Sequence, residues 1–319
     1  MGMTVLPTIK DARKRPTIVI TGIAGRFGRM LARDLRRDHN VIGLDPRGAV
    51  HLPADIPVHA VDLRRKKAED LFRRTHVDAV IHMNPTPAWG GARQRREHRN
   101  ITLMGTRRIL DYCRKYRVSK LVLLSSAALY GAHADNDQFL TESMPLQGGF
   151  GYSAMRDLVE ADIYATSFFW QNPEIDTVVL RPAHIVGRLG NTSSIYLNQR
   201  VIPTLMGFDP MMQIMAPEDL IHAIRLAMKP GIRGIFNLAG AEPAPLSEII
   251  RMTGRTRLPV PEPALRSMLS MAFGLGVAGI PTAQLDYLKY VCMVDDSHAR
   301  NILRYTPQVS LEQTLSITH

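Results

Sequence analysis

The residues with the most chemistry to offer stand near the start of the chain, in Thr17-Ile-Val-Ile-Thr-Gly-Ile-Ala-Gly-Arg-Phe-Gly28, where an apolar run ends in a glycine-rich turn. A turn of this kind between a strand and a helix receives the diphosphate of a dinucleotide. Gly22 permits the tight turn, Gly25 keeps a Cβ out of the path of the phosphates, and Gly28 lets the following helix pack closely on the strand. The phosphates then meet free N–H groups at the helix start. Three glycines alone arise by chance, so the reading needs a helix behind them and an acid on the next strand. Residues 29–35 read as an amphipathic helix, and 41–45 as a short apolar strand closing on Asp45. Asp45 is placed to accept hydrogen bonds from the adenosine ribose and to repel a 2′-phosphate, which favours NAD over NADP. Arg26 and Arg47 pull the other way, because a guanidinium pairs readily with phosphate.

The elements that must position these residues alternate. Apolar runs of strand length at 57–63, 78–83, 120–126 and 175–181 are separated by helical patterns at 66–75, about 93–116 and 152–169. That alternation predicts an α/β fold with a doubly wound parallel sheet covered on both faces. Pro182 marks the exit of the 175–181 strand. Beyond His184 the pattern loosens: 184–215 reads as irregular, 217–228 as a helix, 234–238 as a strand, and the remainder as mostly helical with proline-rich connections such as 258–263. The expected organisation is a flexible tail at 1–16, a dinucleotide-binding Rossmann domain at 17–183, and a smaller, mostly helical substrate lobe at 184–319 whose segment 216–240 returns to the first domain.

The 319 residues suffice for such a domain and lobe. Two cysteines, Cys113 and Cys292, support neither a disulfide framework nor a metal site, and no run is long enough to cross a bilayer. The start lacks the apolar centre of a signal peptide, so a cytoplasmic location is expected. The apolar run 268–280 reads as a packed helix and loop over a substrate pocket or a protein interface. The net charge of +11 is spread over many clusters without interleaved aromatics. It reads as a solvated basic face, which disfavours nucleic acid and leaves open contact with an anionic substrate or membrane surface. A lone histidine is more often structural, and His133 reads as solvated.

In order and spacing, the motifs of the chain resemble those of the extended short-chain dehydrogenase/reductase family, the NAD-dependent epimerases and dehydratases, over nearly its whole length. Residues 21–28, with Ile23, Arg26 and Phe27 between the glycines, resemble the family's TGxxGxxG. Asp62 and Leu63 are similar to its adenine-contacting pair, and Asn100 opens a segment similar to its NxxGT helix. Ser125-Ser-Ala-Ala-Leu-Tyr-Gly131 resembles the strand end that carries a catalytic hydroxyl, Tyr152 to Arg156 stands in the place of YxxxK, and Arg181-Pro-Ala-His-Ile-Val-Gly187 resembles RPxxxxG. The resemblance implies that Tyr152 is the acid/base, that Ser126 holds the substrate oxygen, and that Met83, Asn84, Asn100 and Pro182 border the cofactor. It further implies a substrate contact for His184 and a homodimer paired through helices near 93–116 and 152–170.

A tyrosine with a pKa of about 10 is a weak base near neutrality, so it needs a cation nearby. The family uses lysine; this chain has Arg156, one helical turn from Tyr152, which keeps the charge but cannot pass a proton. A second departure is His82-Met-Asn84, followed by Pro85-Thr-Pro87. The expected function is NAD-dependent oxidation, reduction or epimerisation at a secondary alcohol or ketone, on a nucleotide sugar or another anionic substrate. The alternatives are a non-catalytic dinucleotide-binding protein and an RNA- or membrane-associated one.

Overall fold

The computed structural model describes residues 15–49, 51–83, 92–150, 153–274 and 282–316. Most of the expected tail, Asn84 to Pro87, Tyr152 and the end of the 268–280 run therefore lie outside the described residues.

The chain begins with β1 (Thr17–Thr21), α1 (Arg26–Leu35), β2 (Asn40–Leu44), β3 (Val58–His59), α2 (Lys66–Arg74) and β4 (Ala79–Met83). It continues through α3 (Ala92–Arg99), α4 (Gly105–Lys115), β5 (Lys120–Leu124), α5 (Ser153–Gln171) and β6 (Asp176–Pro182). The lobe elements follow: β7 (His184–Ile185), α6 (Thr192–Leu197), β8 (Val201–Leu205), β9 (Met211–Met215), α7 (Pro217–Ala227), β10 (Gly234–Leu238), β11 (Pro243–Pro245), α8 (Leu246–Met252), β12 (Thr256–Val260), α9 (Glu262–Gly274) and α10 (Leu311–Ser316).

Seven strands form the main sheet in the order β10-β6-β5-β4-β1-β2-β3, and every pairing in it is parallel. A parallel sheet must be covered on both faces, and the apolar strands here are buried on both. One face packs against Leu31, Ala32 and Leu35 of α1 and Leu220, Ala223 and Ile224 of α7. The other packs against Leu71 and Phe72 of α2, Ile109 and Cys113 of α4 and Phe168 of α5. Helix α7 starts with Pro217, which needs no N–H partner at that position, followed by Glu218 and Asp219, whose charge suits the positive end of the helix.

Three readings of the sequence need correction. The helix expected over 93–116 is interrupted by a π-helical segment, Asn100–Met104, between α3 and α4. The stretch read as irregular, 184–215, holds β7, α6, β8 and β9. The proline-rich connection at 258–263 is partly strand: β12 pairs in parallel with β8, with Leu258 opposite Pro203. Proline is tolerated there because the pair has only two strands and both are edges. Among the described residues, no helix is long and apolar enough to cross a membrane, and no cluster of His, Cys, Asp or Glu is placed to hold a metal.

Candidate active site

The glycine turn is built by the backbone. Gly22 leaves β1 at a φ of +71°, a region open to glycine at little cost, and its N–H donates to Leu44 O at 3.1 Å. Its carbonyl accepts from Gly25 N at 3.1 Å, closing the turn. Gly25 is the N-cap of α1 and accepts from Arg29 N at 2.9 Å, so the amides of Arg26, Phe27 and Gly28 precede the first intrahelical bond. A Cβ on Gly28 would lie 2.6 Å from Gly22 O and 2.8 Å from Ile23 Cα, so a side chain there would force the helix off the strand.

Asp45 ends β2 with almost no exposure, at 2%. It accepts from Ala24 N at 3.1 Å and from Arg47 through N, Nε and Nη2 at 3.0, 2.9 and 2.9 Å. Burial alone pushes its carboxyl up; the hydrogen bonds and charge of Arg47 outweigh burial and hold it below the usual carboxylate range. Asp62 is likewise gripped by Arg64, which lowers its pKa against a smaller opposing effect of burial. Three hydrogen bonds fix the end of β4 beside the turn. His82 Nδ1 shares a hydrogen bond with Thr21 Oγ1 at 2.8 Å, His82 Nε2 shares another with Thr106 Oγ1 at 3.0 Å, and Met83 N donates to Thr21 Oγ1.

Across from this cradle, β5 delivers Ser126 to the N-cap of a short 3-10 turn, where its Oγ accepts from Ala128 N at 3.1 Å. The hydroxyl proton of Ser126 remains available to a second partner. The neighbouring Ser125 Oγ donates to Asp162 Oδ2 at 2.5 Å, and Asp162 is paired in the core with Arg181, whose Nη2 lies 2.6 Å from Oδ1. Burial alone would lower the Arg181 pKa, but Asp162 raises it above the ordinary guanidinium value. Arg181 Nη1 also donates to Tyr130 Oη at 2.8 Å, and Tyr130 donates to Asn237 Oδ1 at 2.8 Å. One polar network thus ties β5, α5, β6 and β10 beneath Ser126.

The cradle and Ser126 open on a single cavity of about 1340 Å³. Of the cofactor residues expected from sequence, Gly22, Gly25, Arg26, Phe27, Gly28, Asp45, Asp62, Leu63, Met83 and Pro182 line it. Ile23 does not; it is buried under β2, where a Cβ on Gly43 would lie 2.6 Å from its Cγ2. Asn100 opens the π-helical segment, and its neighbour Ile101 is the lining residue. Arg156 sits in the first turn of α5 with its side chain exposed, and the lining residues of that helix are Met155 and Leu158.

His184 lines the cavity from β7, shares a hydrogen bond with Ser193 Oγ at 3.2 Å, and stands edge-on to Tyr287. Burial pushes its pKa down to about 4, so the ring is neutral near pH 7. His133, expected to be solvated, is half-buried, and its Nε2 is enclosed without a hydrogen-bond partner. The lobe wall made by Ile195, Tyr196, Met212, Leu265, Leu269 and Tyr287 was missed from sequence, apart from the apolar run that begins at Met268.

Similarity to known proteins agrees with this geometry. An uncharacterized protein of Mycobacterium tuberculosis is 27% identical over 252 residues, covering 77% of this chain and 66% of that protein. The chain thus matches just under two thirds of the length of that relative. UDP-glucose 4-epimerase 2 of Oryza sativa subsp. japonica is 31% identical over 190 residues, covering 54% of this chain and 45% of that protein. Among solved structures, UDP-glucose 4-epimerase of Thermotoga maritima with UDP-glucose superposes with a TM-score of 0.73 at 19% identity, covering 95% of this chain and 97% of that one. The dTDP-glucose 4,6-dehydratase of Bacillus anthracis in complex with NAD gives 0.72 at 15% identity, covering 95% of each chain. Residues 18–239 match the NAD dependent epimerase/dehydratase family as a whole, and the chain belongs to that family.

Proposed function

We propose that this protein is an enzyme that binds NAD along the Gly22 to Gly28 turn and interconverts a secondary alcohol and the corresponding ketone, as an oxidoreductase or an epimerase. The observation that carries the reading is that one cavity joins the glycine turn to Ser126. The cradle fits the cofactor: Gly28 admits no Cβ, and first-turn amides of α1 await an anion. Asp45 would hold the adenosine ribose, Asp62 and Leu63 the adenine, and Met83, Asn84, Asn100 and Pro182 would border the remainder. Bound NAD supplies a hydride acceptor or donor.

The chain's own residues handle the proton. Tyr152 exchanges it with the substrate oxygen, because a group within hydrogen-bond reach must cycle between acceptor and donor as the hydride moves. Ser126 donates its hydroxyl proton to the same oxygen and fixes its position. Arg156 adds positive charge at the start of α5. The chain acts in the cytoplasm, where Cys113 and Cys292, both free, stay reduced. It forms a homodimer through the helices near 93–116 and 152–170, supported by the half-exposed Ile163 and the strongly exposed Trp170 on α5.

A second reading, a non-catalytic dinucleotide-binding protein, is favoured by one observation: the Arg156 side chain is exposed to water, where its field is screened. Calorimetry with NAD and NADP, followed by a redox assay of Tyr152→Phe, separates the two. The enzyme reading expects turnover lost in the variant with NAD affinity kept; turnover unchanged in Tyr152→Phe removes the assigned proton carrier.

A further inference from the structure

The cavity is larger than the roughly 300–1,000 Å³ of a pocket made for one small molecule, so at about 1340 Å³ it has room for a second body beside a dinucleotide. Its charge is distributed unevenly. The charged lining residues Arg26, Arg29, Asp45, Arg47 and Asp62 all come from the half that carries the glycine turn, and of these Arg26 reaches the edge of the lobe, where its Nη1 donates to Arg188 O at 3.1 Å. Among the described residues, the lining from Pro182 onward contains no Asp, Glu, Lys or Arg.

Three basic side chains of the lobe are committed elsewhere. Arg257 donates to Thr204 Oγ1 and Phe208 O, while Arg266 and Lys289 both pair with Glu262 at 2.9 Å. His184, the remaining titratable group on that wall with histidine chemistry, is neutral near pH 7. The rest of the wall is uncharged: Ile195, Met212, Ile214, Leu265, Leu269 and Leu288 supply hydrocarbon, and Asn191, Thr192, Ser193, Gln199 and Gln284 supply neutral polar groups. Helix α9 carries apolar residues both toward the cavity, with Leu265 and Leu269, and away from it, with Met268 and Met271 exposed at 57% and 69%.

A diphosphate placed deep against such a wall would lose its hydration and gain no cation from the described lobe lining itself, which is unfavourable. A hydrocarbon body placed there releases water from apolar surface on both partners. We infer that the substrate is a secondary alcohol or ketone on an uncharged, predominantly hydrocarbon body, and that nucleotide-diphosphate sugars are excluded by the lobe wall. The inference rests on the proposed function, since Ser126 marks where the reacting oxygen sits. In the reducing direction the carbonyl carbon accepts the hydride of NADH and the carbonyl oxygen accepts the Tyr152 proton, leaving the alcohol and NAD; Tyr152 regains its proton from water.

The test uses the full chain, first titrated with NADH and then, in its loaded form, with androst-4-ene-3,17-dione, 2-dodecanone and UDP-glucose. At least one ketone is expected to bind at least about tenfold more tightly than UDP-glucose. UDP-glucose binding as tightly as the ketones, or neither ketone binding, overturns the inference while leaving the cofactor reading intact. Failure at the NADH step instead defeats the proposed function and removes the premise. Ile195→Asp puts a carboxylate on the lining face of a half-exposed residue. It should weaken ketone binding about tenfold with NADH affinity unchanged, which also shows that the variant folds. Unaltered ketone affinity in Ile195→Asp overturns the assignment of the wall.

Discussion

Arg47 grips both carboxylate oxygens of Asp45, with Nε 2.9 Å from Oδ1 and Nη2 2.9 Å from Oδ2. The acid that should hold the adenosine ribose therefore also restrains the cation nearest to it. Side-chain exposure is 1% for Asp45 and 60% for Arg47, so the acid is fixed and the arginine can move. In Asp45→Asn the fork is broken and Arg47 becomes free to pair with a 2′-phosphate. NAD affinity should fall about tenfold, a loss typical of one charged hydrogen bond, while NADP affinity rises. Competitive calorimetry reads the ratio, and an unchanged NAD to NADP preference would contradict this role for Asp45.

Ser126 accepts from Ala128 N and keeps one proton to give. On the proposed role, replacing it with alanine removes the donor to the substrate oxygen, with an expected loss of about 10²–10³ in kcat. The Ala128 amide also loses its cap, at about 1 kcal/mol of stability. Steady-state kinetics beside a thermal melt separates the two effects; NAD affinity should not change.

Gly28→Val tests the cradle itself. The added side chain meets Gly22 O and Ile23 backbone atoms, none of which is a flexible end that can turn aside. Stability should drop by about 1–3 kcal/mol in urea unfolding, and NAD binding should be lost as α1 is displaced. Retained NAD affinity in a folded variant would place the diphosphate elsewhere.

The glycine turn, Asp45 and the parallel sheet were legible in the sequence because each depends on local chemistry: a positive φ at Gly22, close approach at Gly28, and apolar runs covered on both faces. The lobe was not. Strand β12 joins β8 across more than fifty residues, and Leu258-Pro-Val-Pro spells a connection until that partner is present. The cavity wall was hidden for the same reason, since Ile195, Met212 and Leu269 meet only after three separate elements have packed. Arg181 was visible as part of a motif, but its pairing with Asp162 joins β6 to a helix nineteen residues earlier and leaves no periodic trace.

That pairing gives a fourth expectation. Asp162→Ala strands a guanidinium that is only 4% exposed, at a cost of about 3–5 kcal/mol, and releases Ser125 from its acceptor. Asp162→Asn keeps the shape and an acceptor oxygen and should lose less. Chemical denaturation ranks the two variants; equal stability of both with the parent chain would show that the network contributes nothing.

His184 sets a pH dependence. Its folded pKa of about 4 lies below the ordinary value of about 6.5, so the unfolded chain binds the proton first as pH falls. Its contribution to stability is complete above about pH 6.5 and declines as pH drops toward 4, by at most about 3 kcal/mol. Urea midpoints measured across that range should show a shallower slope in His184→Asn than in the parent chain.

The path from sheet to lobe is short. Only Ala183 separates β6 from β7; its N–H donates to Leu238 O at the end of β10, and Val186 N donates to Met215 O in β9. Two residues beyond the returning strand β10, Gly240 packs so closely on Ile214 O that no Cβ fits. Both crossovers are thus held against β9. Amide hydrogens of α6 and α9, which lie outside that clamp, should exchange with solvent well before those of β7 and β9.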